Sequence, residues 1–158
     1  MNNELAMKNF SDVVMQAEER KGGAKALAHL LPPAVSIEQV LATPDDRFLS
    51  TMTKVINQAG FHWGVIEKKW PQFEDAFFQF SIGKLIYLSP EQWEAYMQDT
   101  RVVRNWQKIQ AVMDNAAFVY RESSDRGSFS RLIAEWPEDD QIGLMAYLKK
   151  HGSRLGGH

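Results

Sequence analysis

Residues 89–122 read SPEQWEAYMQDTRVVRNWQKIQAVMDNAAFVYRE, and this stretch decides the fold. Ser89 offers a hydroxyl cap, Pro90 stands at the first helical position, and Gln92 three residues on completes a capping box. Trp93, Tyr96 and Met97 supply that helix with an apolar face. A longer helix is predicted from about Asn105 to Glu122, with Trp106, Ile109, Val112, Met113, Ala116, Val119 and Tyr120 pointing one way. Between them lies only Asp99 to Val103, so the two helices are joined by a tight turn.

The same periodicity extends outward. Phe48, Leu49, Met52, Val55, Ile56 and Ala59 form one stripe of a helix opened by Asp45 or Asp46 after Pro44 and closed at Gly60. Further helices are expected over 9–19, 62–69, 72–80, 129–135 and 138–150, punctuated by Pro71, Gly127, Pro137 and Gly152. Little alternates like a strand. The expectation is an all-α single domain, 1–158, of seven or eight short helices, with 21–44 its loosest stretch.

The chain has 158 residues, 44% of them hydrophobic and 24% charged, which excludes a disordered tail. Its apolar runs are too short to span a bilayer. With no cysteine there is no disulfide framework, thiolate zinc site or cysteine nucleophile. Met1 to Phe10 carries Glu4 and Lys8 and lacks the pattern of a secretory signal, so a cytoplasmic protein is expected.

The formal net charge of −2 hides an uneven distribution. Arg101, Arg104 and Lys108 fall within 100–110 without an acid, as do Lys149, Lys150 and Arg154 from 149 onward. No two of His29, His62, His151 and His158 are spaced to share a helix face as metal ligands, so no metal is expected. Phosphate-loop, dinucleotide and Gly-x-Ser-x-Gly patterns are absent. Glu18-Glu19 and Asp139-Asp140 are adjacent pairs that point apart on a helix and read as surface charge.

What remains is an aromatic-rich helical chain with basic residues at its turns. A turn between two helices can aim backbone N–H groups and a helix N-terminus at a DNA phosphate while flanking Arg and Lys neutralise its neighbours. Asp99 to Arg104 has that layout; by spacing alone it is equally an ordinary helical hairpin with Val102 and Val103 plugging the core.

Gln58-Ala59-Gly60-Phe61-His62-Trp63, then Ile66, Lys69, Phe73, Ala76 and Phe77, then Asp99 to Arg104, Lys108-Ile109 and Asn115-Ala116, resemble the DNA-3-methyladenine glycosylase I family. Ser128-Phe129 and Leu148 to Gly152 continue the likeness, which covers 45–156. The resemblance implies a helix-hairpin-helix DNA glycosylase fold and hydrolysis of the N-glycosidic bond of alkylated adenine, 3-methyladenine, in double-stranded DNA after base flipping. It implies a base pocket of Trp63, Val55 and Gln58, with Trp63 as an aromatic wall. DNA-binding residues would be Thr100, Arg101, Val102, Val103, Arg104 and Lys108, with Lys149 and Lys150 before the family's next turn.

The chain departs from the family at three places. The family's pocket glutamate, three residues before the Gln of its Gln-Ala-Gly run, is Val55 here, which cannot accept a hydrogen bond. Candidate substitutes are Glu18, Glu19 and Glu67. The N-terminal segment, 1–44, lacks the family's Tyr-His and Glu-Trp-Gly elements, and the sequence stops at His158, where the family continues into another helix. The family's zinc site has no counterpart, so no cofactor is expected, and a monomer is. Three readings stay open: an active glycosylase with a displaced acid, a relative that binds DNA or damage without cleaving, and a helical module that binds another protein. An acid near Trp63 favours the first, apolar filling around Val55 the second, and a large apolar patch away from the basic turn the third.

Overall fold

Helix follows the apolar periodicity through most of the described residues, 10–31 and 33–156 of the computed structural model, and no strand occurs among them. Asn9, the expected first helical residue, and His158 lie outside the described residues. The chain divides into two compact units, Met1–Val35 and Ser36–His158. In the first, α1 (Phe10–Lys21) and α2 (Ala24–Leu30) are linked through Gly22 and Gly23, whose N–H donates to the Glu18 carbonyl at 2.7 Å.

The second unit runs α3 (Ile37–Ala42), α4 (Asp45–Gln58), α5 (Trp63–Ala76), α6 (Ile82–Leu85), α7 (Pro90–Ala95), α8 (Trp106–Arg126), α9 (Phe129–Ala134) and α10 (Gln141–His151). The stretch expected to be loosest thus holds α2 and α3. Ser36 and Gln39 form the same reciprocal capping box that Ser89 and Gln92 form at α7. Although α3 falls before residue 45, it belongs to the second unit, where it packs on α9 and the Leu41 carbonyl accepts from Ser130 Oγ at 3.4 Å.

Helix ends obey their local chemistry. Asn105 caps α8, accepting from the Lys108 N–H at 3.3 Å, and Gly127 ends it with φ +92°, a left-handed conformation suited to glycine. Gly60, at φ +79°, turns the chain out of α4. Asp45 reaches across sequence to accept from the Phe129 N–H at 2.9 Å and from the Ser123 hydroxyl, tying the start of α4 to α9 and α8.

Two expectations are corrected between α5 and α6. The helices predicted over 62–69 and 72–80 are one helix through Pro71. The missing N–H costs the bond to the Glu67 carbonyl, but Trp70 and Phe73 on either side of the proline bury in the same core. The helix stops at Ala76, and Phe78, Gln79 and Phe80 follow with φ of 56°, 56° and 57°. Three consecutive non-glycine residues in the left-handed region cost about 1–2 kcal/mol each, so their surroundings must hold them there.

Those surroundings are a stack and an ionic knot. Phe80 is fully buried and parallel to Trp70, which stacks in turn on Phe73. Arg47 donates to both Glu74 carboxylate oxygens, at 2.8 and 3.0 Å, and to the Gln79 carbonyl at 2.9 Å. Ser50 Oγ at 2.7 Å and Trp70 Nε1 at 3.1 Å complete the shell of Glu74. One core of Leu49, Ile66, Phe73, Phe77, Trp93, Val102 and Val112 surrounds this arrangement, and Phe118, Val119, Phe129 and Leu132 form a second.

The buried face of α4 is also rotated from the expected stripe. Leu49, Thr53, Ile56 and Asn57 lie at its centre, which leaves Val55 60% exposed and Ala59 exposed at its edge. On α8, Ile109, Val112, Ala116 and Val119 are buried as expected and Met113 is half-buried. Trp106 and Tyr120 instead fall outside the face and are exposed.

Burial raises the Glu74 carboxyl, but the hydrogen bonds from Arg47, Ser50 and Trp70 outweigh it and hold the group below the ordinary glutamate range. A depressed folded-state pKa contributes stability that is complete above the unfolded value and vanishes as pH falls through the folded one. Glu74→Gln should therefore cost about 2 kcal/mol in urea unfolding near neutral pH and flatten the acid limb of the stability profile. An acid limb as steep as that of the parent would contradict this role.

Candidate active site and nucleic-acid interface

Helix α5 begins at Trp63 and places Glu67 one turn further on, so both side chains lie on one face. The end of α4 brings Gln58 to that face: Gln58 Nε2 lies 3.4 Å from Glu67 Oε1, long for a hydrogen bond. Lys54, one turn before Gln58, donates to Glu67 Oε2 at 3.3 Å, with its ammonium 5.0 Å from the centre of the Trp70 ring. Gln58 is buried, whereas Trp63 is 68% exposed and Phe61 and Val55 are exposed as well. The result is an open surface with a flat aromatic, an amide and a carboxylate paired to one lysine. Glu18 and Glu19 lie on α1 in the first unit; the candidate acid in the unit of Trp63 is Glu67.

A cleft of about 420 Å³ occurs elsewhere, lined by Asp45, Asp46, Gln79, Ser81 and Ile82. It lies toward the start of α4, a helix about 20 Å long, away from Gln58 at its end. The carboxylates there are engaged by Phe129, Ser123 and Arg47, so the structural roles of Asp45 and Asp46 account for them. No group of three or more His, Asp or Glu suited to hold a metal occurs among the described residues.

The turn between α7 and α8 divides its residues between holding and facing outward. After a single 3₁₀ turn, Tyr96–Gln98, Asp99 Oδ1 accepts from the Arg101 N–H at 2.9 Å. Val102 is buried in the core and Val103 half-buried against it. Arg101 is drawn back into the turn, 2.8 Å from Asp99 and 2.9 Å from Asp75, and the Asp99 carboxyl is held below its usual range chiefly by the Arg101 hydrogen bond. Lys69 Nζ donates to the Thr100 carbonyl at 2.6 Å. Tyr96 donates to the Ala76 carbonyl at 2.7 Å, and burial pushes its hydroxyl up to about 12. Through Lys69, Asp75 and Ala76, α5 therefore holds the turn while its first residues carry Trp63 and Glu67.

Arg104 is exposed and has no ionic or hydrogen-bond partner among the described residues. Nor do the backbone N–H groups of Val103 and Arg104 find an acceptor among them. The ammonium of Lys108, which the resemblance makes a DNA contact, donates to the Asn57 carbonyl at 3.2 Å and the Ala59 carbonyl at 2.8 Å, with the Phe61 ring centre 4.7 Å away.

A second basic turn follows α10. Buried Asn115 pairs its amide with Ser153 in both directions, Nδ2 to the carbonyl at 3.0 Å and Oδ1 from the N–H at 2.7 Å. Arg154, at φ +57°, donates to Gln107 Oε1 at 2.5 Å. Lys149 and Lys150 are exposed on the last turn of α10, where a helix C-terminus favours positive charge. Sequence reading missed the clamp by Asn115, whose only signal was its place beside Ala116 on the α8 face. It also missed the ties from Lys69 and Asp75, which depend on partners 31 and 26 residues away.

The all-α fold of the described residues matches that of solved DNA glycosylases. A crystal structure of 3-methyladenine DNA glycosylase I is 22% identical, with TM-score 0.62 and 73% of each chain covered. A tyrosine-to-phenylalanine variant of 3-methyladenine DNA glycosylase I, solved with 3-methyladenine, is 20% identical with TM-score 0.61 and the same coverage. A third, from Staphylococcus aureus and described as the structural basis of 3-methyladenine recognition, is 20% identical with TM-score 0.62, covering 72% of this chain and 70% of that one. Comparison with curated protein sequences found no match. The sequence profile of methyladenine glycosylase matches residues 41–150, and the chain belongs to that family. No described helix is long and apolar enough to cross a membrane.

Asn115→Ala removes both halves of the clamp from a fully buried position. The expected loss is about 2 kcal/mol of stability, with faster tryptic cleavage at Lys150 and Arg154. Unchanged cleavage there would show that the Asn115 clamp does not hold the turn.

Proposed function

We propose that this protein is a DNA N-glycosyl hydrolase for alkylated adenine, with the pocket acid moved from α4 to α5. The observation that carries this reading is Glu67, one turn from Trp63 and beside Gln58, in a family whose acid position is Val55 here. An extruded base would stack on Trp63 and meet Gln58 and Glu67 at its polar edge. Adenine alkylated at N3 is cationic while joined to the sugar, so breaking C1′–N9 releases a neutral base. A water oxygen then bonds to C1′, and one proton is released. A carboxylate at the base lowers the cost of extracting that cation from the duplex, and stacking supplies selectivity.

The unpartnered Arg104, with the free N–H groups of Val103 and Arg104, supports a phosphate contact at the turn. Lys149 and Lys150 add positive charge at the end of α10. Arg101, part-exposed, is paired to Asp99 and Asp75 and braces the turn.

Base release from methylated duplex DNA and binding to undamaged duplex test the two halves separately. Glu67→Gln and Trp63→Ala should each lower single-turnover release of 3-methyladenine at least tenfold while leaving duplex affinity within about twofold. Equal losses of release and binding would assign both residues to folding. Arg104→Ala should reduce the slope of log K against log salt by about 0.9, the signature of one lost phosphate contact. An unchanged slope would remove Arg104 from the interface.

A further inference from the structure

Lys108 stands in the first turn of α8, where the helix dipole disfavours a cation. Its ammonium reaches instead to the end of α4, whose last carbonyls lack helical donors and carry the negative end of that dipole. It takes two of them, Asn57 and Ala59, and rests near the face of Phe61. These acceptors bracket Gln58 and lead through Gly60 to Phe61 and Trp63. The Ala59 N–H donates to Val55 and the Phe61 N–H to Gln58, and apart from the long contact of Gln58 with Glu67, Lys108 supplies the hydrogen bonds that reach this turn from another element among the described residues. Lys108 also lines a small void with Asn57, Phe73, Phe77, Val102 and Val103, which places its stem between α4, α5 and the basic turn.

We propose that Lys108 is a positioning residue, whose ammonium caps α4 and fixes the Gln58–Phe61 turn at the base site, and that it makes no phosphate contact. The inference rests on the glycosylase reading for its consequence in catalysis, but the cap itself does not. The charges facing Lys108 fit this role. Burial, and secondarily the nearby Arg154, lower its pKa, and no carboxylate among the described residues pairs with it, so carbonyl dipoles and the Phe61 ring compensate it. A lysine used to neutralise phosphates would gain nothing from this burial.

The test compares Lys108→Met, which keeps the stem and removes the charge, with Arg104→Ala. Without DNA, amide exchange over residues 58–63 should quicken at least tenfold in Lys108→Met and stay at the parent rate in Arg104→Ala. In duplex binding, Lys108→Met should keep the parent salt slope where Arg104→Ala loses about 0.9. Single-turnover base release should fall at least tenfold in Lys108→Met at saturating protein. If the parent releases no base, the glycosylase reading fails while exchange still decides the cap. If Lys108→Met does not fold, the ammonium proton resonance of Lys108 in the parent replaces it: a slowly exchanging signal unmoved by undamaged duplex supports the cap. Parent-like exchange over 58–63, a slope reduced by about 0.9, or an ammonium signal shifted by duplex would each overturn the proposal.

Discussion

The Glu74 carboxylate is the point on which the functional unit depends. It receives Arg47 through both oxygens, Ser50 and the Trp70 indole, and the same guanidinium holds the Gln79 carbonyl. One half-buried acid thereby ties α4 to α5, and its arginine partner holds Phe78–Phe80 in a conformation those residues would not adopt alone. The relative placement of the α4 end and the α5 start, where Gln58 meets Glu67, follows from that fixation. A partly buried carboxylate left without its donors is costly, so arrangements of α4 and α5 that break these hydrogen bonds are disfavoured.

Positive charge is divided between holding the molecule and facing away from it. Arg47, Arg101 and Lys108 are spent on carboxylates or carbonyls of other elements, each joining segments at least 26 residues apart. Arg104, Lys149 and Lys150 stay exposed, at a turn braced from behind by Arg101 and Lys69 and at the end of α10. Bracing reduces the ordering that a turn must undergo on meeting a ligand, which is where binding energy is otherwise lost. The chain's small net negative charge therefore says little about this face.

Sequence disclosed the parts whose chemistry is local. The Ser89 capping box is read directly, and the start of α8 at Asn105 and the break at Gly127 are read to within a few residues, although α8 runs on to Arg126 where Glu122 is the expected end. Family membership was legible too, through Gln58 to Trp63 and Asp99 to Arg104. What sequence concealed depends on partners far along the chain. Pro71 reads as a helix break, yet aromatic burial on both sides carries α5 through it. Phe78-Gln79-Phe80 contains no glycine to announce positive φ. Within the candidate site, the resemblance groups Trp63, Val55 and Gln58 and offers Glu67 among the substitute acids, but nothing local shows that Glu67 meets Gln58 or that α4 ends beside Lys108.

On the proposed reading, Glu67 supplies from α5 the carboxylate that Val55 does not supply from α4. Both positions lie near Gln58, one on α4 three residues before it and one in contact with it on α5. The most direct measurement is 3-methyladenine release by the double variant Val55→Glu with Glu67→Gln, set against Glu67→Gln alone. Relocation predicts that returning a carboxylate to α4 restores at least a tenth of the parent rate. A double variant as inactive as Glu67→Gln, or a Glu67→Gln protein as active as the parent, would contradict it.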